Sequence, residues 1–276
     1  MGPLHLILRN GKNRMRVCFI LERGTPPRLN SIIAETFVLL EKLGTEVKVM
    51  YPEEELFRLD TLTVDADIYL LKSDSEFALS LAIILENLGA RVINSCNACM
   101  KAKDKVLAAT VLLQAGIPTP RSFAASSPSQ LSGSFANRPL ILKPHRGYHG
   151  VGLSIAEAPS ELPSGEAYPD MVFAQEYLAD ERKDLKVFAI GEEIFGVRKP
   201  FSKDSFLKAG ELTELPPEAE EIARECGKAF GLELYGLDIA EDGDMPYVVD
   251  VNYFPGYRGV PDAAQRLTNY IINFDR

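Results

Sequence analysis

One stretch of this 276-residue chain concentrates groups suited to phosphate: Lys143-Pro-His-Arg-Gly-Tyr-His-Gly-Val-Gly152. An apolar run over residues 140–143 predicts a strand that delivers the lysine. Gly147, Gly150 and Gly152 then follow at spacings of three and two. Glycines let main-chain N–H groups approach a polyphosphate closely and reach positive φ. The spacing is not G-x-x-x-x-G-K-[ST], and no helix opens after it as a dinucleotide fingerprint requires. Alone, the stretch reads either as a phosphate loop or as a surface loop between strands.

A second constellation suits a hard cation. Alternation puts Gly236, Asp238 and Ala240 on one face of a strand, with Tyr235, Leu237 and Ile239 on the other. In Tyr247-Val-Val-Asp-Val-Asn252, Asp250 and Asn252 share a face. An odd number of loop residues near Asp242-Gly243 would set Asp238 opposite Asp250. Two carboxylates and an amide, without Cys or His, suit Mg2+. The alternative is the polar face of a half-exposed hairpin.

A third set depends on spacing. Gln175-Glu176-Tyr177-Leu178 closes a predicted strand, and such a hinge can meet an adenine edge through its backbone. Asp184 and Lys186 share a face of the next strand, and Arg198-Lys199 sits at its return. Basic residues on a sheet are also often merely solvated.

The elements that must position these groups follow from periodicity. Strands are predicted over 16–21, 46–50, 67–71 and 91–94, with helices over 31–43, capped by Asn30, and 75–88. That alternation implies a parallel sheet covered by helices. A helix over 101–114 follows, then a loop over 124–139. Short strands over 140–143, 153–156 and 171–177 form a small β-rich lobe. Hairpins over 185–198 and 234–252, with helices over 216–230 and 261–272, complete the chain. The expected division is 1–100, 101–178 and 179–276.

Composition excludes other classes. Thirty Lys and Arg against 39 Asp and Glu give a formal charge of −9, which disfavours non-specific nucleic-acid binding. Hydrophobic residues at 46% and charged at 25% are ordinary for a globular chain. No apolar run approaches the roughly 20 residues of a membrane span. A cytoplasmic protein without membrane or nucleic-acid partners is expected; the oligomeric state is left open. Cys96-Asn-Ala-Cys99 lacks a second pair at zinc spacing and reads as two semi-buried thiols.

Taken in order, Asp104-Lys105, Lys143-Pro before the glycine loop, Gln175-Glu176-Tyr177, Asp238, and Asp250-Val-Asn252 resemble the ATP-grasp superfamily. The resemblance runs from about residue 101 to the C-terminus. It implies an α/β (α+β) fold with a Rossmann-like N-terminal lobe, a small β-rich central lid and a C-terminal antiparallel lobe bearing the metal site. Two branches compete. Asp250-Val-Asn-Tyr-Phe-Pro-Gly-Tyr-Arg-Gly-Val260 and His149-Gly150 resemble inositol polyphosphate kinases of the inositol tetrakisphosphate 1-kinase type, and Lys72 matches a substrate lysine there. The glycine loop and Gln114-Ala-Gly-Ile-Pro-Thr-Pro120 are similar to RimK-like carboxylate–amine ligases. Those usually carry Glu-x-Asn and Ser-Pro-Gly where this chain has Asp250 and Phe254-Pro255-Gly256.

The resemblance implies ATP and Mg2+ as cofactors. Lys105, Lys143, Gly147, Gly150, Gly152, Gln175, Glu176, Tyr177, Leu178 and Asp184 would bind the nucleotide, and Asp238, Asp250 and Asn252 the metal. Lys186, His149 and Arg198 would act in catalysis. Lys72, His149, Lys186, Lys199, Asn252, Gly256 and Arg258 would meet an anionic small-molecule acceptor. The expected function is phosphoryl transfer to a hydroxyl, as in an inositol phosphate kinase. The alternatives are a RimK-like glutamate ligase working through an acyl phosphate, and an inactive nucleotide-binding regulator.

Overall fold

A computed structural model describes residues 14–23, 30–135, 138–146, 152–164, 166, 168, 170–178, 184–199, 210–243 and 245–274. The first sheet is parallel, in the order β2-β1-β3-β4, built from β1 (Arg16–Leu21), β2 (Glu46–Met50), β3 (Ile68–Lys72) and β4 (Val92–Ile93). The apolar run of β1 takes an interior position, where both faces need cover. Two helices connect these strands: α1 (Ser31–Lys42) and α2 (Glu76–Asn87). Asn30 Oδ1 accepts from Ile32 N at 2.9 Å and Ser75 Oγ from Ala78 N at 2.9 Å, so each start is capped. Gly44 and Gly89 leave the helices at φ of 83° and 90°.

The stretch expected as one helix over 101–114 is two: α3 (Cys96–Lys103) and α4 (Lys105–Gln114). Asp104 divides them. Its backbone is extended, and its carboxylate accepts from Val106 N and Leu107 N at 3.0 and 3.2 Å, so a new helix starts there. The expected boundary at residues 100 and 101 falls inside α3. Cys96 and Cys99 are buried in α3, and burial pushes the Cys96 thiol up to about 12.

The second sheet, order β5-β8-β6-β7, is antiparallel: β5 (Ser122–Ala125), β6 (Leu140–Pro144), β7 (Ser154–Ala156) and β8 (Val172–Glu176). β5 and a 3-10 turn over Pro128–Gly133 occupy part of the stretch expected as loop. This sheet has its own small core of Leu131, Leu140, Leu142, Ala156, Tyr168, Val172 and Ala174.

The third sheet, order β11-β10-β9-β12-β13, is also antiparallel. It contains β9 (Asp184–Ile190), β10 (Glu193–Lys199), β11 (Glu211–Thr213), β12 (Leu234–Asp242) and β13 (Met245–Tyr253). Two helices accompany it: α5 (Pro217–Phe230) and α6 (Ala263–Asn273). Tyr235 packs on α5: its ring fills the space that Gly227 leaves, and its hydroxyl donates to Ala223 O at 2.7 Å.

The main core is continuous between the first and third sheets. One buried side chain joins them directly. Asn94, after β4, accepts from Glu233 N and Leu234 N at 2.8 and 2.9 Å and donates to Leu234 O at 2.7 Å. Buried amide groups without partners cost about 1–3 kcal/mol each. Asn94→Ala therefore lowers the stability of the chain by about 3 kcal/mol, read as a shift of the urea midpoint. An unchanged midpoint would show that water replaces the amide.

Candidate active site

Register sets the site. Val197, Lys186, Asp238 and Asp250 are successive cross-strand partners on β10, β9, β12 and β13, so they share one face. The next row, Arg198, Leu185, Ile239 and Val248, lies on the opposite face. The two-residue turn after Asp242 would by itself place Val249 opposite Asp238. A β-bulge at Val249 adds the missing residue and brings Asp250 there instead. The extra residue needed to align the two carboxylates is thus in the strand, not in the turn. Asn252 follows on the same face, paired with Gly236 and exposed.

Each carboxylate has an ammonium. Lys186 Nζ donates to Asp238 Oδ1 at 2.7 Å, and Lys105 Nζ to Asp250 Oδ1 at 3.1 Å. Burial pushes the Asp250 carboxyl up, but Lys105, Lys143 and Lys186 together hold it below the usual carboxylate range. Lys105 is available because α4 restarts at Asp104, and its N–H donates to His145 O at 2.9 Å. That bond ties the root of the glycine loop to the first turn of α4.

Lys143 comes from the second sheet and is 7% exposed. Its Nζ donates to Gln175 Oε1 at 2.7 Å and to the carbonyl of the bulge residue, Val249 O, at 3.1 Å. Burial pulls this ammonium down to about 8, against the attraction of Asp250. Gln175 is itself buried, and its Nε2 donates to Ser122 Oγ at 3.2 Å. Lys105, Gln175, Val249 and Asp250 line one small cleft with Leu112 and Phe173. Its polar side belongs to Lys105, Gln175 and Asp250.

The structure separates some expected site residues. Arg198 is corrected: it faces away from Lys186 and Asp238, and its guanidinium grips Glu241 through two bonds of 2.8 and 3.2 Å. Two adjacent residues of one strand cannot both face the site, and Lys199 takes that side. Lys72 reaches the loop after β13, donating to Phe254 O at 2.9 Å and Pro255 O at 3.4 Å. Burial pulls it down to about 8. Gly256 O accepts from Asn30 Nδ2 at 3.4 Å. At the hinge, Glu176 N and Tyr177 N already donate to Arg121 O and Pro139 O. Leu178 follows directly. Gly152 lies at φ 75° with Pro144 against it, and Tyr168 donates to its carbonyl at 2.9 Å. Gly147, His149, Gly150 and the side chain of Asp184 lie outside the described residues.

Sequence reasoning missed the Val249 bulge and the buried Gln175 side chain as the acceptors of Lys143. A buried lysine requires such partners, and Gln175 alternates onto the Lys143 side of its sheet through the Ile141–Gln175 and Lys143–Phe173 pairs.

Comparison with known proteins adds a family. The model of the RimK-like ATP-grasp domain matches residues 102–272. A probable alpha-L-glutamate ligase of Shewanella frigidimarina is 26% identical over 66% of this chain, and the match spans 66% of that relative's length. A RimK domain ATP-grasp protein of Sphaerobacter thermophilus superposes with a TM-score of 0.75 at 17% identity, covering 93% of this chain and 99% of the other. The ligase PsnB, in complex with a minimal precursor, Mg and ADP, gives 0.67 at 19% identity, covering 94% and 98%. The fold is therefore ATP-grasp. The RimK-like match and the glutamate-ligase relative correct the expectation of an inositol phosphate kinase. The Asp250–Val260 segment that suggested it builds one end of the carboxylate row and the loop beside it, which does not define an acceptor. Among the described residues no helix is long and apolar enough to cross a membrane.

Removing Arg198 leaves Glu241, 8% exposed, without its bidentate partner. Arg198→Met should cost about 3 kcal/mol of stability. It should leave kcat and KM within about threefold at a temperature where the variant is folded. A loss in kcat of about a hundredfold under those conditions would return Arg198 to the chemistry.

Proposed function

The chain belongs to the RimK-like ATP-grasp family, and on that premise we propose that it is an ATP- and Mg2+-dependent ligase joining a carboxylate to an amine. The family match carries the ligase part of the reading, and the meeting of Lys105 and Lys143, from different elements, beside Asp250 and its partner Asp238 carries its ATP and Mg2+ part. Two ammonium groups next to two carboxylates suit a triphosphate bridged by a hard cation. The name of the Shewanella relative supports glutamate as the first amine to try.

The donor set fits Mg2+. Asp238, Asp250 and Asn252 offer only oxygen ligands. Among the described residues no three Asp, Glu, His or Cys side chains converge as a closed cage. Two carboxylates and an amide leave room for water and phosphate oxygens in the shell of such an ion. When bound, it would supply Lewis-acid charge to the phosphate oxygens.

In this reading Lys105 and Lys143 hold the phosphates, and the loop of Gly147, His149, Gly150 and Gly152 covers them. Glu176 to Leu178 meet the adenine edge, and Asp184 belongs to the nucleotide side. Gln175 acts through Lys143, which it orients. Lys186 faces the transferred phosphoryl group. An oxygen of the acceptor carboxylate attacks the γ-phosphorus, the bond to the β,γ-bridging oxygen breaks, and ADP leaves. The amine nitrogen then attacks the acyl carbon, phosphate departs and the amine loses a proton. Positioning and charge supply most of the acceleration.

Three measurements test this. With ATP, Mg2+, hydroxylamine and a panel of carboxylates, the enzyme should release ADP and form a hydroxamate. A stable phosphoester by phosphorus NMR, without hydroxamate, would overturn the ligase reading. Asp250→Ala should lose ATP turnover by at least about a hundredfold and keep its circular dichroism spectrum. Full activity in that variant would remove Asp250 from the metal site. The third test concerns pH. Burial pulls the Lys143 ammonium down to about 8, so at pH 9 the neutral form predominates. A neighbouring triphosphate favours the ammonium, so binding a non-hydrolysable analogue at pH 9 takes up protons. At pH 6.5, where Lys143 is already charged, the uptake vanishes. Calorimetry in buffers of different ionisation heat reads this directly, and Lys143→Met should abolish it.

A further inference from the structure

The two ammonium groups assigned to the triphosphate reach the site on different pieces of chain. Lys105 opens α4, and Lys143 lies near the end of β6. Each has a second cation close by in sequence: Lys103 ends α3, and Arg146 follows β6. The two pieces touch, since Lys105 N donates to His145 O at 2.9 Å. Four cations therefore gather where they meet, and they repel. Asp250 answers from the inner side, where it accepts from Lys105.

On the outer side a single carboxylate oxygen bridges the same two pieces. Glu76 Oε1, in the first turn of α2, accepts from Lys103 Nζ at 2.9 Å and from Arg146 Nη1 at 3.3 Å. The Lys103 hydrogen bond, and after it the charges of Lys103, Arg146 and His145, hold the Glu76 carboxyl below the usual carboxylate range against a small opposing effect of burial. Arg146 Nε also stands 3.7 Å from Asp104 Oδ2, so the bridge is one of several fastenings.

Glu76 stands on a fixed base. Ser75 caps its helix, and Ser73 Oγ accepts from Ser75 N at 3.1 Å. The buried Tyr253 hydroxyl donates to Ser73 O, and Tyr253 ends β13, the strand of Asp250 and Asn252. Lys103 Nζ donates to Asp74 O at 2.7 Å as well, and its side chain is only 12% exposed. The carboxylate is thus placed relative to the acidic row before it grips either cation.

Resting on the assignment of Lys105 and Lys143 to the triphosphate, we propose that Glu76 is a positioning residue for the nucleotide phosphates: by bridging Lys103 and Arg146 it fixes how far apart the two phosphate-binding lysines stand. A helix of the first lobe then takes part in phosphate binding without touching a phosphate. Position and charge make opposite demands here. As a bare negative charge, Glu76 would weaken the pull of the site on a polyphosphate, and neutralising it would tighten binding. As a bridge it keeps the lysines in register, and neutralising it loosens binding.

The full chain with Mg2+ is titrated calorimetrically with the non-hydrolysable analogue AMPPNP and with AMP, which lacks the β- and γ-phosphates. Wild type should prefer AMPPNP by at least about tenfold. Glu76→Gln should weaken AMPPNP by about fivefold, the scale of an exposed charge network, and leave AMP within about 1.5-fold. Retained AMP affinity shows that the variant is folded. Arg146→Gln should also weaken AMPPNP, and adding Glu76→Gln to it should cost less than about twofold more. The idea is overturned if Glu76→Gln binds AMPPNP as well as wild type or better, if it loses AMP and AMPPNP alike, or if the two substitutions are additive. A wild type without preference for AMPPNP would remove the assignment of the lysines and this role of Glu76 together. The hydroxylamine trap reads the reaction and these titrations read phosphate binding, so the ligase reading can fail while Glu76 keeps its role, and the reverse.

Discussion

Two carboxylates held face to face on one sheet row are the constraint around which this molecule is arranged. Asp238 and Asp250 repel each other unless cations stand beside them, and in their own cross-strand row, among the described residues, Lys186 is the one cation. The second cation has to arrive from elsewhere. Lys105 does so because Asp104 ends one helix and caps the next, turning the first residue of α4 toward β13. Lys143 follows from the second sheet. Its burial is tolerable because the Val249 bulge and the Gln175 amide supply acceptors. The bulge therefore sets the carboxylates opposite each other and places a main-chain carbonyl for the lysine above them.

The loop that leaves β13 shows why the first sheet belongs to the same machine. Phe254, Tyr257 and Asp262 all sit at positive φ without being glycine. Such conformations cost about 1–3 kcal/mol each and persist where the surroundings dictate them. Here the surroundings are explicit. Lys72 and Asn30 bind carbonyls of the loop from the first lobe, and the buried Tyr257 hydroxyl donates to Ala189 O at 3.0 Å. Tyr253 donates to Ser73 O at 2.7 Å from the other direction. Lys72 thus holds the backbone of this loop. Its lowered pKa records the burial that this task imposes.

Much of this was readable in advance because strands alternate. The third sheet's hairpins, the face shared by Asp238 and Ala240, and the facing of Asp250 and Asn252 all follow from a period of two. What escaped has physical causes. A bulge within Val-Val-Asp-Val carries no marker, so the turn was asked to supply the extra residue. The three residues of β11 and the small side chains of β5 give too little pattern to see. Asp104 did carry a signal, since aspartate favours the helix start, but the apolar residues on either side of it continue a helical reading. Arg198 was open to correction by alternation alone, because Lys199 beside it must point the other way.

The choice of acceptor was the hardest to read, and the geometry explains why. Phosphate-binding lysines, an acidic row and a glycine loop serve any attack on a γ-phosphate, by a hydroxyl or by a carboxylate. A motif that includes the acidic row therefore selects a superfamily and not a nucleophile. The loop after the row answers to packing within the chain: Lys72 and Asn30 hold its carbonyls, and Phe254 and Tyr257 are buried. Residues set by such packing carry no record of the acceptor, which is why the Asp250–Val260 stretch could resemble a kinase that the family match overturns.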